Sequence, residues 1–344
     1  MQISDFDYEL PEELIAQHPL AERDASRMLV VNRAAGSWHD SLFTEFPDNL
    51  RANDVLVLNN TRVFPARLIG KRIPSGGSIE ILLLRELEPA VWQVLARPAR
   101  RLKIGSQIEF GAKLTAEVVA ENPDGTRVIE FAQKQKLQDL IDEIGEAPLP
   151  PYIKRPRPPT ENDRERYQTI YARQRGAIAA PTAGLHFTER IIKAIRDRRV
   201  QITELTLHVG YGTFEPVRAA HVVEHRVAPE AFAISEETAN VINSARGLGG
   251  RVVAIGTTTV RALESSTDTS GRVTAGAGMA ELTIAPGHQF RAVDAVLTNF
   301  HLPQSSLLLL VSAFAGRGLT LAAYRHAVAN RYRFYSYGDC MLIE

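Results

Sequence analysis

Apolar and polar residues alternate over short runs in the second fifth of the chain. Six such runs lie between residues 66 and 132, and turn sequences at residues 74–77 and 122–125 separate several of them. The runs cover residues 67–72, 78–86, 91–97, 107–110, 114–121 and 127–131. Short strands at close spacing, with no helical period between them, predict a small antiparallel β-barrel.

Beyond residue 150, amphipathic stretches alternate with short apolar runs, which is typical of an α/β domain. Helices are predicted at residues 10–15, 136–144, 188–199, 235–246, 307–315 and 319–331, with one more from Thr257. Apolar strands are predicted at residues 28–32, 55–58, 201–209, 251–255 and 292–298. The proline-rich residues 148–159 are predicted to form a linker and an exposed loop. We therefore predict an α/β main domain, residues 1–60 and 150–344, with an inserted small antiparallel β-barrel domain at 61–149.

Composition narrows the class of protein. The 344 residues are 44% hydrophobic and 23% charged, which is usual for a globular protein. The formal net charge is zero, so an RNA partner would have to bind at a local basic patch. The single cysteine, Cys340, excludes an internal disulfide and any zinc site built on two thiolates. No leader-like segment and no membrane-spanning apolar run is evident, so we expect a cytoplasmic protein that contacts no membrane.

One segment places hydroxyls and helix amides directly after a strand. Gly256 and Thr257 to Thr259 follow the apolar run 251–255, and Arg261 comes one helical turn later. A strand end that leads into a helix is a usual ligand crevice in an α/β sheet. A capped helix start that binds nothing is an equally good interpretation, and the segment lacks the glycine spacing of a P-loop or a dinucleotide site.

Three loops carry a histidine at a similar position. His186 precedes a predicted helix, His208 ends a predicted strand before two glycines, and His301 follows Asn299 at another strand end. A histidine at such a position can donate or accept a proton near neutral pH. For any single one, a hydrogen-bonded structural role is the simpler interpretation, and only the recurrence favours chemistry. The spacing of His221, Glu224 and His225 matches no standard zinc site, so we predict no metal.

Basic residues cluster around tyrosines in the middle of the chain. The arginine- and lysine-rich segments are 97–103, 154–157 and 164–175, and Tyr152, Tyr167 and Tyr171 lie among the last two. Arginines that bind phosphates and tyrosines that stack on unpaired bases are typical of proteins that bind single-stranded RNA loops. A solvated charged surface remains the alternative for each segment.

The same segments, in this order, resemble the S-adenosylmethionine:tRNA ribosyltransferase-isomerases of queuosine synthesis. The resemblance runs nearly from end to end, and several of the strings are long. They lie at residues 5–11, 59–63, 148–153, 167–169, 179–187, 207–214, 256–261, 298–303, 311–316 and 332–339. One departure is Ala228, where the family has a second histidine three places after His225. A second is residues 280–284, which depart from the family's usual stretch before Pro286.

The resemblance implies a reaction and an architecture. Members act on 7-aminomethyl-7-deazaguanine at the wobble position of a tRNA. They move the ribosyl group of S-adenosylmethionine onto the aminomethyl nitrogen, which gives epoxyqueuosine and releases adenine and methionine. S-adenosylmethionine is thus a consumed substrate. The resemblance also implies a monomer with an α/β domain and an inserted β-barrel, as the pattern predicts.

This chemistry assigns expected roles to particular residues. We predict His186 and His208 as the proton-transferring groups, with the division into acid and base left open. The residues predicted to bind the small substrate are Thr182, Tyr211, Thr213, Thr257, Thr258, Arg261, Asn299 and His301. The residues predicted to face the tRNA are Tyr152, Arg155 and Tyr167.

Two other functions fit parts of the sequence. A non-catalytic RNA-binding module would account for the arginines and tyrosines, but it gives no reason for three histidine-bearing loops. The second alternative is a small-molecule glycosyltransferase that uses a nucleotide sugar, and it would work without RNA. Binding of S-adenosylmethionine argues against the first alternative, and dependence on RNA argues against the second.

Overall fold

The computed structural model describes residues 1–155, 160–214 and 217–344, and it contains a large mixed sheet with helices and a closed barrel. The strands are β1 (Arg27–Asn32), β2 (Ser37–Leu42), β3 (Val55–Asn59), β4 (Thr61–Val63), β5 (Arg67–Ile73), β6 (Ser78–Glu88), β7 (Val91–Arg97), β8 (Gln107–Phe110), β9 (Leu114–Glu121), β10 (Arg127–Phe131), β11 (Gln174–Ala177), β12 (Gln201–Leu207), β13 (Glu230–Ile234), β14 (Val252–Ile255), β15 (Gly276–Ala280), β16 (Ala295–Asn299) and β17 (Cys340–Ile343). The helices are α1 (Leu137–Ile144), α2 (Glu161–Arg166), α3 (Glu189–Asp197), α4 (Glu236–Gly247), α5 (Thr257–Ser265), α6 (Ser306–Ala315) and α7 (Arg317–Ala329).

The nine-stranded sheet has the order β15-β13-β12-β3-β14-β16-β17-β1-β2. Its four neighbouring strands β12, β3, β14 and β16 run parallel to one another. Every residue of β3, β14 and β16 is buried, which is why these strands are apolar except at the carboxyl ends of β3 and β16. Because the four strands are parallel, their carboxyl ends meet at one edge of the sheet, where ligands usually bind in α/β folds.

The barrel has the closed order β10-β7-β6-β5-β8-β9, and every pairing within it is antiparallel. Alternate side chains point into its own core, where Phe110 and Phe131 pack with ring centroids 6.1 Å apart. Gly70 lets β5 approach β8 closely, since a Cβ there would lie 2.7 Å from the Glu109 carbonyl oxygen. The predicted fold class, an α/β domain with an inserted barrel, is confirmed. The bounds 61–149 stay a prediction, and the barrel strands run from residue 67 to residue 131.

The structure differs from the sequence prediction in three places. Residues 10–15 hold only a short 3-10 turn, Glu12–Leu14, not an α-helix. The described part of the predicted exposed loop at 148–159 is largely packed, with Leu149 and Ile153 in the main core; residues 156–159 lie outside the described residues. Strands β2, β4, β11, β13, β15 and β17 were not predicted.

No single helix within the described ranges is long and apolar enough to cross a membrane; α6 and α7, bent by 115° relative to each other, reach that length and composition only when taken together.

Candidate active site

A pocket of about 530 Å³ lies at the carboxyl ends of β14 and β16. Thr257 and Thr258 begin α5 directly after β14, whereas Asn299 and His301 lie at and after the end of β16. The other predicted residues in its wall are Thr182 and Tyr152. Its remaining lining residues are Ala179, Ala180, Pro181, Ala183, Val209, Gly256, Thr298, Leu307, Tyr335 and Ser336. Because the described lining contains no Asp, Glu, Lys or Arg, the pocket suits a heterocycle or a sugar better than a strongly charged group.

Asn299 is fixed in the pocket wall by two side chains from the 3-10 turn Thr182–His186. The Thr182 hydroxyl donates to Asn299 Oδ1 at 2.8 Å, and Asn299 Nδ2 lies 3.4 Å from His186 Nε2. These contacts position the amide of Asn299 at the pocket surface. The structure thus brings Thr182, Asn299 and His186 together in one hydrogen-bonded group. Thr182 and Asn299 lie in the pocket wall, and His186 lies behind it.

His186 is buried behind the pocket and is not part of its lining. Its second ring nitrogen, Nδ1, lies 3.0 Å from Ser26 Oγ, so both nitrogens have protein partners. Burial lowers the pKa of His186 to about 4, and the ring is therefore neutral at neutral pH. In this structure His186 supports Asn299; its predicted role in proton transfer stays a prediction.

His301 lines the pocket from the loop after β16. Its Nε2 lies 2.8 Å from the Thr298 hydroxyl, and its backbone N–H donates to the Tyr324 hydroxyl at 3.1 Å. Burial lowers the pKa of His301 to about 3, so it too is neutral. A neutral imidazole beside hydroxyls and an amide can hydrogen-bond a polar ligand without adding charge to the pocket.

A larger cleft lies on the other side of Val209, which borders both spaces. Its walls come from the barrel, including Phe64 and Trp92, and from the loop after β12, including His208 and Tyr211. Both basic and acidic side chains line it: Arg85, Glu86, Asp124, Arg175, Arg218, Glu224, Arg226 and Glu230. The cleft is open to solvent and spans about 2590 Å³ with that solvent included, which is enough to admit part of a macromolecule.

His208 is partly buried at the wall of this cleft and does not share a pocket with His186. Its Nδ1 lies 2.8 Å from the hydroxyl of Thr61 on β4. Desolvation by the surrounding protein lowers the pKa of His208, so the ring is neutral at neutral pH. Of the two predicted proton-transferring residues, His208 is the one that faces a large open space.

Gly176 on β11 allows the imidazole of His208 to lie where it does. A Cβ at this position would approach the His208 ring to 2.6 Å. We expect Gly176→Ala to push the ring away from Thr61. On the prediction that His208 transfers a proton, turnover should fall by about tenfold or more, because a catalytic group displaced by roughly 1 Å loses much of its effect. Steady-state kinetics with Gly276→Ala as the matched control check this, since Gly276 has a similar φ (145° against 154° at Gly176) and a Cβ there has nothing within 4 Å. Equal turnover in the two variants would contradict it.

Arg261 lies in α5 with its guanidinium buried in an ion pair with Glu230. Its NH2 group also donates to the Ala280 carbonyl at 2.8 Å and to the Ala228 carbonyl at 3.2 Å. Burial lowers the pKa of Arg261, and the facing Glu230 carboxylate partly offsets this. Glu230 also accepts a 2.8 Å hydrogen bond from Gly210 N, so the pair connects α5 to the loop that carries His208.

A smaller space of about 380 Å³ shares lining residues with each of the two larger ones. Thr257, Thr258 and Leu307 border it on the pocket side, while Glu230 and Ser306 border it on the cleft side. Arg261 lies in its wall. The predicted substrate-binding residues Thr257, Thr258, Arg261, Asn299, His301 and Thr182 are thus brought together in the lining of the pocket and of this smaller space.

The residues predicted to face the tRNA are only partly at the surface. Tyr152 lines the pocket, with its hydroxyl bonded to Ser336 and its ring packed edge-on against Tyr335. Tyr167 is fully buried in the core. Arg155 donates to Asp163 at 2.9 Å and to the Gln17 carbonyl, and little of its side chain is exposed.

Two further expectations concern residues near the cleft. Tyr211 lines the cleft, and its hydroxyl lies 3.5 Å from the NH2 group of Arg97 in the barrel. The side chain of Thr213 lies outside the described residues.

Within the described ranges, no group of three or more histidine, cysteine, aspartate or glutamate side chains is arranged to hold a metal ion.

Several residues at the site were not predicted from the sequence. Tyr335 and Ser336 line the pocket from the loop before β17, and Asn59 lies buried beneath it. Asn59 Nδ2 donates to the Leu207 carbonyl at 2.9 Å and to Thr258 Oγ1 at 3.3 Å, joining β3, β12 and α5. Residues 59–63 and 332–339 do carry the family resemblance, which is the only signal that marks them.

Comparison with known proteins shows the family of the chain. The queuosine biosynthesis protein family matches residues 3–343. Two curated relatives are the S-adenosylmethionine:tRNA ribosyltransferase-isomerases of Desulforamulus reducens and Halothermothrix orenii. Each is 47% identical over 344 residues, with both chains covered completely. A crystal structure of S-adenosylmethionine tRNA ribosyltransferase from Thermotoga maritima is 38% identical, with a TM-score of 0.56, and covers 99% of this chain and 100% of that one.

The α/β sheet with its inserted barrel and these relatives define an enzyme, and its class is that of the transferases. More narrowly, the chain belongs to the queuosine biosynthesis family, among the S-adenosylmethionine:tRNA ribosyltransferase-isomerases.

Proposed function

We propose that this protein transfers and isomerises the ribosyl group of S-adenosylmethionine onto 7-aminomethyl-7-deazaguanine at the wobble position of a tRNA. The products are epoxyqueuosine in the tRNA, adenine and methionine. The observation that carries this proposal is the neutral pocket at the ends of β14 and β16, next to a large cleft beside the barrel, with Val209 lining both. The uncharged polar and apolar lining of the pocket suits a nucleoside, and the larger cleft suits an RNA loop.

The pocket has the chemistry that a nucleoside requires. Thr182, Thr257 and Asn299 offer hydroxyl and amide groups to sugar hydroxyls and ring nitrogens, while Val209 and Leu307 offer apolar contact. The first backbone N–H groups of α5 have no acceptor within the helix itself, so they can donate to a ligand. Arg261 would help to hold the methionine carboxylate near this helix start, from the wall of the smaller space.

The proposed reaction needs three proton movements near neutral pH. The sulfonium acidifies the neighbouring 5′ carbon, so a base can remove a proton there; adenine must gain a proton to leave; and the attacking amine must be neutral. His208, neutral and at the cleft wall, can accept a proton. The sulfonium of the substrate supplies the activating charge.

The RNA would enter through the cleft. The target base must leave the stack of the anticodon loop, which costs less in a loop than in a duplex. Arg85, Arg175 and Arg218 at the cleft wall would contact phosphates, and Tyr211 offers a ring on which a base can stack. We also propose that the protein works as a monomer in the cytoplasm.

A direct assay tests the proposal. The purified protein is incubated with S-adenosylmethionine labelled in the ribose and with tRNA that carries the deazaguanine precursor. Release of adenine together with transfer of the label into the tRNA is the expected result, and digestion of the RNA should yield epoxyqueuosine. Omission of the RNA should stop adenine release, which separates this function from a nucleotide-sugar transferase. Failure of the complete reaction to release adenine would overturn the proposal.

The predicted alternative of a non-catalytic RNA-binding module has less support. Its best evidence was the arginines and tyrosines of residues 152–175, of which Tyr167 is buried and Arg155 is bonded to Asp163. Calorimetry with S-adenosylmethionine alone distinguishes the two functions, because such a module should bind none. The enzyme should bind it in the pocket, and Thr257→Val should weaken that binding.

A further inference from the structure

The hydroxyl of Thr61 lies between two groups at the edge of the cleft. Its oxygen is 2.8 Å from Nδ1 of His208 and 3.4 Å from the backbone carbonyl oxygen of Gln174. Thr61 is buried on β4, which pairs in parallel with β11, the strand that contains Gln174. The short β4–β11 sheet therefore holds the hydroxyl at a fixed place relative to the imidazole.

When the Thr61 hydroxyl makes both of these hydrogen bonds, they can be arranged in only one way. A carbonyl oxygen only accepts hydrogen bonds, so a bond with Gln174 uses the single hydroxyl proton of Thr61. The hydroxyl oxygen can then only accept from His208, which requires the hydrogen of the neutral ring to be on Nδ1. This tautomer leaves Nε2 with a lone pair.

The rest of the ring is oriented by packing. The backbone of Gly176 lies so close to the imidazole that a Cβ would come within 2.8 Å of Nε2 and 2.6 Å of Nδ1. Within the described residues no hydrogen bond to Nε2 of His208 is present, and His208 borders the large cleft. The Nε2 lone pair is thus the ring's remaining polar position.

We propose that Thr61 is a positioning residue that holds His208 as the Nδ1–H tautomer, so that Nε2 acts as the general base. The role as base rests on the proposed function; the tautomer does not. In the step concerned, the C–H bond of the carbon next to the sulfonium breaks, and its proton forms a bond with Nε2. The electron pair stays on carbon beside the positive sulfur, and His208 becomes an imidazolium that hydrogen-bonds to Thr61.

The tautomer can be observed without any substrate. Two-bond ¹⁵N–¹H correlation spectra distinguish the two neutral forms of histidine, and the His208 signal among the nine histidines is assigned by its loss in His208→Gln. We expect the Nδ1–H form in the unmodified protein and in Thr61→Ser, which keeps the hydroxyl. Thr61→Val should return His208 mainly to the Nε2–H form. An Nε2–H signal in the unmodified protein, or an unchanged signal in Thr61→Val, overturns the proposal.

Kinetics test the consequence for catalysis. Loss of this hydrogen bond in Thr61→Val should lower kcat by about tenfold, with KM for both substrates nearly unchanged and with recovery in Thr61→Ser. The matched control is Thr203→Val on β12, which removes a buried hydroxyl bonded at 3.0 Å to Thr238 and lies away from the cleft lining. An equal loss in both variants would mean that Thr61 acts only through stability. If the tautomer is as proposed but Thr61→Val leaves kcat unchanged, His208 is not the base. If the unmodified protein releases no adenine, the proposed function fails and the assignment of the tautomer stands.

Discussion

Replacement of His208 with alanine is expected to reduce single-turnover rates by about two to four decades, as loss of a general acid or base usually does. The reason is its position: a neutral imidazole at the cleft wall with one nitrogen held by Thr61. Binding of S-adenosylmethionine and of tRNA should change much less, because a proton-transferring group acts mainly in the transition state. Single-turnover kinetics and calorimetry on the folded variant measure the two effects separately.

The same substitution at His186 serves as the comparison. Both of its ring nitrogens are bonded, to Ser26 and to Asn299, and its ring packs on Phe43 with centroids 5.3 Å apart. We therefore expect His186→Ala to lower the melting temperature and to weaken substrate binding through Asn299, with a smaller effect on turnover per folded molecule. If His186→Ala instead loses the two to four decades and His208→Ala does not, the proton moves through the buried histidine.

Replacement of Arg261 with alanine is expected to lower both stability and affinity for S-adenosylmethionine. The substitution removes the cation that contacts the buried Glu230, and breaking a buried ion pair from one side costs about 3–5 kcal/mol. It also removes a charged donor from the wall of the space beside Thr257 and Thr258, which should weaken binding about ten- to a hundredfold. Affinity for tRNA should fall far less.

The opposite end of β14 offers a matched control. Arg251 precedes that strand and donates to the buried Asp54 at 2.7 Å and to Glu344 at 2.7 Å. Arg251→Ala should destabilise the protein to a similar degree but leave the affinity of the folded protein for S-adenosylmethionine unchanged. Thermal melts and calorimetry on the two variants distinguish a ligand-binding arginine from a structural one. An unchanged affinity in Arg261→Ala would remove Arg261 from the site.

Strands whose own residues specify them were predictable from the sequence. The alternation in β7, with Trp92, Val94 and Ala96 buried, follows directly from the period of a strand with one face on a core. Helix α3 was equally clear because the Thr188 side chain caps it by accepting from Ile191 N at 3.3 Å. In both cases the local pattern and the tertiary environment agree.

Strands that form through their partners could not be predicted. β15 consists of glycine, alanine and methionine, residues with little preference for extended structure, and it is a strand because it pairs with β13. β17 has only four residues, and its burial depends on β1 and β16 on either side. The prolines of residues 148–159 predict a linker and an exposed loop because proline marks turns, whereas Leu149 and Ile153 provide the apolar contacts that bury the start of this segment.

The candidate site was predictable in outline from strand ends and less so in its details. Thr257, Asn299 and His301 could be found because they directly follow apolar strands that proved to be parallel neighbours. The supporting roles of Thr61 and Gly176 depend on β4 and β11, which meet only in the folded protein. Burial of Tyr167 could not be predicted either, because the arginines around it in the sequence do not indicate whether its ring faces solvent or the core.

The position of β17 has a consequence for synthesis on the ribosome. Residues 340–343 lie between β1 and β16, so the β1–β2 hairpin joins the rest of the sheet only through a strand that is translated more than 300 residues after β1. The barrel strands, in contrast, pair with one another within residues 67–131, apart from one bridge between Arg67 and Glu146, and the barrel can close soon after residue 146 has emerged. We expect nascent chains to contain a folded barrel and an incomplete, aggregation-prone sheet. Slower translation near the 3′ end of the mRNA would therefore lengthen the time for which chaperones must protect the chain.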